Sequence, residues 1–184
     1  QLTMNEFVKP IISTKASNIN FREVIDNDKI LMVSLSKGKI GKIGVNILGT
    51  IVLSRIINAA LSRQDLYEDS RKNFTLFVDE FQNFMSHSVM YAMSEARKYR
   101  LSLVLANQTL GQLSDNMKHS ILGNVGSTIF FRPGINDVDY VMPYFTPYLT
   151  RENVLTLPNY KCIGRLQIQN TLSLPFIFDT VQPK

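Results

Sequence analysis

The strongest constraint on this chain is the stretch Asn73 to Phe84, N-F-T-L-F-V-D-E-F-Q-N-F. Phe74 to Val78 is apolar, aromatic and β-branched, the composition of a strand buried on both faces. The run stops abruptly at two adjacent acids, Asp79 and Glu80. Carboxylates are costly to bury unless paired or used, so a pair at the carboxyl end of a buried strand points to a ligand site. The plainer alternative is that they cap the helix that follows.

Length and composition narrow the setting. At 184 residues, 45% hydrophobic and 19% charged, the chain reads as one globular domain with a proper core. Twenty Lys and Arg against 15 acids give +5 and a pI near 9.4, a balance suited to nucleic acid or another anionic surface. The single Cys162 excludes an internal disulfide. With only His87 and His119 beside it there is no zinc-like cluster. A reducing, cytoplasmic setting is the expectation. No signal peptide is visible, and a start at Gln1 suggests part of a longer protein.

Taken in order, Thr3-x-x-Glu6 reads as the cap of an opening helix ended by Pro10, and Asn20-x-x-Glu23 as the cap of a short helix over Phe21 to Ile25. Asp26 to Asp28 is a turn, and Lys29 to Leu35 (K-I-L-M-V-S-L) reads as a second buried strand. Ser36 to Gly44 is glycine-rich, but it is not the phosphate loop G-x-x-x-x-G-K-[ST]. Ser36 stands at the first glycine position and Ile43 where the metal-binding hydroxyl belongs. It reads as a strand-to-helix turn whose Lys37, Lys39 and Lys42 are either solvated or placed for nucleic-acid phosphates.

Val45 to Leu61 is apolar except for a narrow polar stripe, which predicts a helix buried on most sides; Arg55 at its middle argues against a membrane span. Arg63 to Lys72 is a charged linker. Ser88 to Arg100 is an amphipathic helix whose last turn carries Arg97, Lys98 and Arg100, cations that complement the helix dipole. Leu101 to Leu105 is another buried strand, tipped by Ala106-Asn107-Gln108-Thr109. If it runs parallel beside the first, its polar tip lies level with Asp79 and Glu80. A helix from Ser114 to Leu122, a strand from Gly126 to Phe131 tipped by Arg132, and helix starts at Asn136 and Thr150 follow. Asp137 and Asp139 read as caps. Lys161 to Ile168 and Leu172 to Phe178 form a terminal hairpin.

The strand ending in D-E is the Walker B arrangement of P-loop NTPases. Followed by E-A-R-K-Y-R, V-L-A-N-Q-T-L-G-Q-L and I-F-F-R-P-G-I-N-D-V, the chain resembles the C-terminal half of the motor domain in conjugative coupling ATPases of the TraG/TraD type. These belong to the HerA–FtsK superfamily of hexameric, RecA-like pumps. The resemblance covers most of residues 20 to 180. It implies an α/β fold, a partial RecA-like P-loop NTPase core with a mostly parallel sheet flanked by helices, plus the C-terminal β-hairpin.

What the resemblance implies for function can be stated residue by residue. Asp79 is the acid associated with Mg²⁺ through water, and Glu80 orients the water that attacks ATP. Gln108 is a γ-phosphate sensor. Arg97 is an arginine finger for the neighbouring subunit's ATP, and Arg132 a further interface or sensor residue. DNA, relaxosome proteins and type IV secretion channel components are the implied partners. A homo-hexamer at the cytoplasmic face of the membrane is the implied assembly, with the Walker A loop and a membrane anchor upstream. Two other readings stay open: a secretion or pilus ATPase that moves protein, and a non-hydrolysing RecA-like module that binds a partner.

Overall fold

The computed structural model describes residues 19–85 and 87–181, with 87, 88 and 91–93 described by backbone alone. The helix expected after Thr3 lies outside the described residues. The chain gathers into two compact units, the first ending at Asn107 and the second starting at Gln108, and each is described by itself.

The first unit opens with α1 (Phe21–Asp26), whose N-cap Asn20 accepts the Glu23 amide as its sequence predicts. Then comes α2 (Lys37–Leu61), broken at Gly41, where φ is 70° and ψ 165°. That conformation is open to glycine and strained for other residues, so the glycine-rich turn of the sequence becomes a break inside the helix. Strand β1 (Phe74–Val78) and strand β2 (Leu101–Leu105) pair in parallel, with Phe74 opposite Leu101 and Val78 opposite Leu105. Between them runs α3 (His87–Ala96), which tightens to a 3₁₀ turn over Arg97–Tyr99 rather than continuing as α-helix to Arg100.

The core of this unit packs Ile25 against Leu53, Ile56, Ile57 and Ala60 of α2, with Val89, Ala96 and Leu101. By length and composition Lys37–Asp65 could cross a membrane, but these four α2 residues sit in the unit's own core. Its opposite side is more open than the sequence suggests: Ile43 and Ile51 are exposed.

Two strand expectations need correction. Lys29 to Leu35 has no regular structure; Leu31 and Leu35 pack against the core, whereas Ile30 is 91% and Met32 90% exposed. An apolar run becomes a strand only when a neighbour supplies the ladder hydrogen bonds. Strands β1 and β2 are also buried on one face only, with Ser102 and Val104 of β2 exposed. Phe74, Leu76 and Val78 pack inward, while Phe77 is 74% exposed.

The charged linker is not simply solvated. Arg63 is completely buried, donating from Nη1 to the Tyr99 carbonyl at 2.7 Å and from Nη2 to the Lys72 carbonyl at 2.7 Å. Its Nε lies 3.0 Å from Asp26 Oδ1, close enough to pair although off-line for a hydrogen bond. Burial lowers the Arg63 pKa, and Asp26 opposes that.

The second unit holds α4 (Asp115–Asn124), β3 (Thr128–Phe130), α5 (Val138–Val141) and α6 (Arg151–Leu155). Strand β4 (Lys161–Arg165) lies at the centre of an antiparallel sheet, β3–β4–β7, with β7 at Phe176–Asp179. Cys162 and Ile163 of β4, Val138 and Val141 of α5, Phe145 and Val154 are fully or almost fully buried. The hairpin continues into β5 (Gln167–Ile168) and β6 (Thr171–Leu172), joined by Gln169 and Asn170, both at positive φ. Two consecutive left-handed residues make the tight turn whose twist suits a hairpin. The expectation of a mostly parallel sheet therefore holds only for the β1–β2 pair, since this second sheet is antiparallel.

Asp137 departs from the cap assigned to it. It makes no side-chain bond to α5; its two carboxylate oxygens accept the amides of Leu110 and Gly111, at 3.0 and 3.1 Å. It caps the turn Leu110–Gln112 from a distant part of the chain.

Candidate functional site

The parallel register carries both strand ends to one edge. Beyond the last pair, the Ala106 amide donates to the Val78 carbonyl at 2.9 Å, and the Phe81 amide returns to the Ala106 carbonyl at 3.2 Å. Asp79 and Glu80 are thereby fixed beside Ala106 and Asn107 at the carboxyl edge of the sheet.

Asp79 is exposed and uses Oδ1 to accept the Glu80 amide at 2.9 Å. Glu80 stands in the left-handed region, φ 50° and ψ 41°. A non-glycine residue held there costs about 1 kcal/mol or more, and such positions cluster where function requires them. Its Oε2 accepts the Gln82 side-chain amide at 2.8 Å, and its carbonyl accepts the Asn83 side-chain amide at 3.0 Å. The turn Phe81–Asn83 that follows has no side-chain cap, so the acids do not serve as one there. Gln82 and Asn83 are the polar residues that sequence reasoning passed over. Their signal was the spacing D-E-x-Q-N, with two amides within reach of one glutamate.

The chain downstream is pressed onto α2. Phe81 is buried, and a methyl group added at Gly49 would lie 2.3 Å from the Phe84 ring. Thr50 Oγ1, which donates to the Asn46 carbonyl of its own helix at 2.7 Å, also lies 3.3 Å from the Phe84 carbonyl. The acid-bearing turn thus rests on the long helix.

The cations of the 97–100 segment separate into two kinds. Lys98 pairs with Glu95 at 2.7 Å, and Arg100 lies 3.7 Å from Asp69. Arg97 is exposed, with no carboxylate at ion-pair distance among the described residues. It also lies at the amino end of β2, while Asp79 lies past the carboxyl end of β1. Five strand residues at about 3.3 Å each separate the two ends by roughly 16 Å. Arg97 and the acid pair of one chain do not converge.

Gln108 is exposed, follows Asn107 and opens the second unit. Arg132, also exposed, follows β3 and makes two long contacts, to the Leu157 carbonyl at 3.5 Å and Asn159 Oδ1 at 3.4 Å. Lys37, Lys39 and Lys42 are exposed around the start of α2. The described residues contain no group of three or more metal-ligating side chains. One exposed carboxylate with an oxygen left over suits a magnesium ion that keeps its waters and takes its other ligands from phosphates.

Residues 73–142 match the family described as the TraM recognition site of TraD and TraG. This segment contains β1, the acid pair, Arg97, β2 and Gln108, and over it the resemblance to TraG/TraD proteins stands. No curated protein matches the chain. Among solved structures, the genome packaging NTPase B204 from Sulfolobus turreted icosahedral virus 2 is similar in fold. Its complex with AMPPCP superposes with a TM-score of 0.58 at 14% identity, over 90% of this chain and 73% of that one. The complex with ATP-gammaS gives 0.57 at 14% identity, over 91% and 74%. B204 from Sulfolobus turreted icosahedral virus, the DNA-packaging ATPase, gives 0.56 at 14% identity, over 91% and 74%. The chain is mixed α/β with the fold of a packaging NTPase, and its RecA-like core is partial.

Proposed function

We propose that this chain is part of an ATP-driven DNA translocase of the conjugative coupling type, carrying its Walker B acids and an arginine finger. The observation that carries this reading is the placement of Asp79 and Glu80 where two parallel strands end together, with neither acid spent on capping the turn that follows. The match over residues 73–142 and the likeness in fold to a packaging ATPase support it.

In this reading Asp79 binds water of a hydrated Mg²⁺, which neutralises phosphate charge when bound. Glu80, held by Gln82, accepts a hydrogen bond from the attacking water and orients it. Gln108 senses the γ-phosphate from the second strand tip. Arg97 acts on the ATP of an adjacent subunit in a homo-hexamer, which fits its position at the far end of its own sheet. The lysines of α2 contact DNA phosphates, and Arg132 works at an interface. The pump operates at the cytoplasmic face of the membrane and exchanges DNA with a type IV secretion channel. The name of the matched family favours a second task for the same segment, docking a TraM-like relaxosome protein. Since Gly41-Lys42 is no phosphate loop, the chain by itself is expected to leave ATP unhydrolysed.

The test is ATP hydrolysis by the intact protein with and without single- and double-stranded DNA. Stimulation by DNA, and retained ATP binding without turnover in Glu80→Gln, is the expected result. Normal hydrolysis by Glu80→Gln would sink the Walker B assignment, and hydrolysis indifferent to DNA would favour a motor that moves protein.

A further inference from the structure

We infer that Arg71 and Arg63 form a guanidinium clamp that holds the turn carrying Arg97, making both of them positioning residues for that finger. The inference rests on the proposed action of Arg97 across a subunit interface.

One nitrogen of each side chain reaches a carbonyl of this turn, and the other donors of Arg71 tie it to the preceding linker. Arg71 donates from Nη1 to the Lys98 carbonyl at 2.9 Å, from Nη2 to the Leu66 carbonyl at 2.8 Å and from Nε to the Arg63 carbonyl at 3.0 Å. Its guanidinium carbon lies 4.9 Å from the centre of the Tyr99 ring, a cation–π contact. The buried Arg63 takes the next carbonyl, that of Tyr99. The two arginines therefore satisfy adjacent carbonyls of the turn that ends α3, where helix carbonyls lack partners of their own. Arg100 then adopts φ 60° and its carbonyl accepts the Phe74 amide at 2.9 Å, handing the chain to the sheet.

The clamp grips backbone and leaves the Arg97 side chain alone. Immediately before the held carbonyls stands the one cation of the segment with no ion pair among the described residues. A finger must arrive within a fraction of an ångström of its target, and misplacement by about 1 Å can cost ~10²-fold in rate. Lysine would not substitute for Arg71, because its single ammonium cannot span three divergent carbonyls while lying flat on a ring.

Two measurements test this. In the chain itself, Arg71→Met keeps the aliphatic stem and removes the donors. Amide exchange at Arg100 and Phe74 is expected to quicken at least about tenfold, while the amides inside β2 stay protected; unchanged exchange at both amides would overturn the clamp.

In the intact ATPase, Arg71→Met is expected to lower kcat by ~10²-fold with KM for ATP unchanged. Mixing it with Glu80→Gln subunits, whose Arg97 turn is intact, should restore hydrolysis at the Arg71→Met sites. A parallel mixture of Arg97→Ala with Glu80→Gln is the control. If Arg97→Ala recovers on mixing and Arg71→Met does not, the clamp serves its own subunit's fold and the inference fails alone. If neither recovers, the action of Arg97 in trans fails and the inference falls with it.

Discussion

Gln82 donates its side-chain amide to Glu80 Oε2 at 2.8 Å, across a turn in which Glu80 itself is left-handed. The bond leaves Oε1 of the carboxylate available and fixes where it points. A positioned general base is worth about 10²–10⁴-fold in rate, so losing only its orientation should cost less. Gln82→Leu in the intact ATPase is expected to lower kcat by roughly tenfold with KM for ATP little changed, a loss borne by the transition state. Steady-state hydrolysis measures it, and an equal rise in KM would assign Gln82 to binding.

Gly49 of α2 lies close against Phe84 of the acid-bearing turn, since an added methyl would overlap the ring at 2.3 Å. Gly49→Ala gains helix propensity but overpacks this contact, and overpacking costs typically about 1–3 kcal/mol. A lower urea midpoint is expected, with partial recovery in the double variant Gly49→Ala with Phe84→Leu. A Gly49→Ala chain more stable than the parent would show that the turn moves aside at no cost.

Asp137 is buried and caps the Leu110–Gln112 turn with both oxygens. Hydrogen bonds to a charged partner are worth about 1.5–3 kcal/mol each, and Asp137→Ala removes both, stranding the Leu110 amide while the Gly111 amide keeps Thr109 Oγ1 at 3.0 Å. Destabilisation of about 2 kcal/mol or more is expected, with Asp137→Asn falling between the two because one oxygen remains. Denaturant unfolding followed by probes in the second unit reads this out.

Acid should weaken the chain through Asp65 among others. Arg22 donates to Asp65 at 2.8 Å, and that bond holds the Asp65 carboxyl below its ordinary value of 3.8. A carboxylate with a depressed folded pKa contributes its stability above the unfolded value, and that contribution is lost as pH falls below it. Lys118 does the same for Asp115. The melting temperature is expected to decline as pH drops through 3.8 and below, less steeply in Asp65→Asn with Asp115→Asn. Identical acid profiles for the double variant and the parent would remove both pairs from the account.

The features legible in the sequence are those set by local chemistry. Asn20 caps α1 and Thr150 caps α6, because a cap is a bond between residues three apart. Strands β1 and β2 were bounded by their apolar runs, and the Gln169–Asn170 hairpin by its turn residues. The acid pair was marked by two carboxylates at the end of such a run.

Pairing and partnership were decided elsewhere. Lys29 to Leu35 and Leu101 to Leu105 look alike as strings, yet only the second found a strand to bond with. Asp137 caps a turn 26 and 27 residues away instead of its own helix. Arg63, one charge in a polar linker, became a buried anchor. Composition records how much apolar surface a segment must hide and which polar groups must be satisfied. Which distant group satisfies them is fixed only when the packed chain brings the two together, because desolvation and hydrogen bonding depend on neighbours in space.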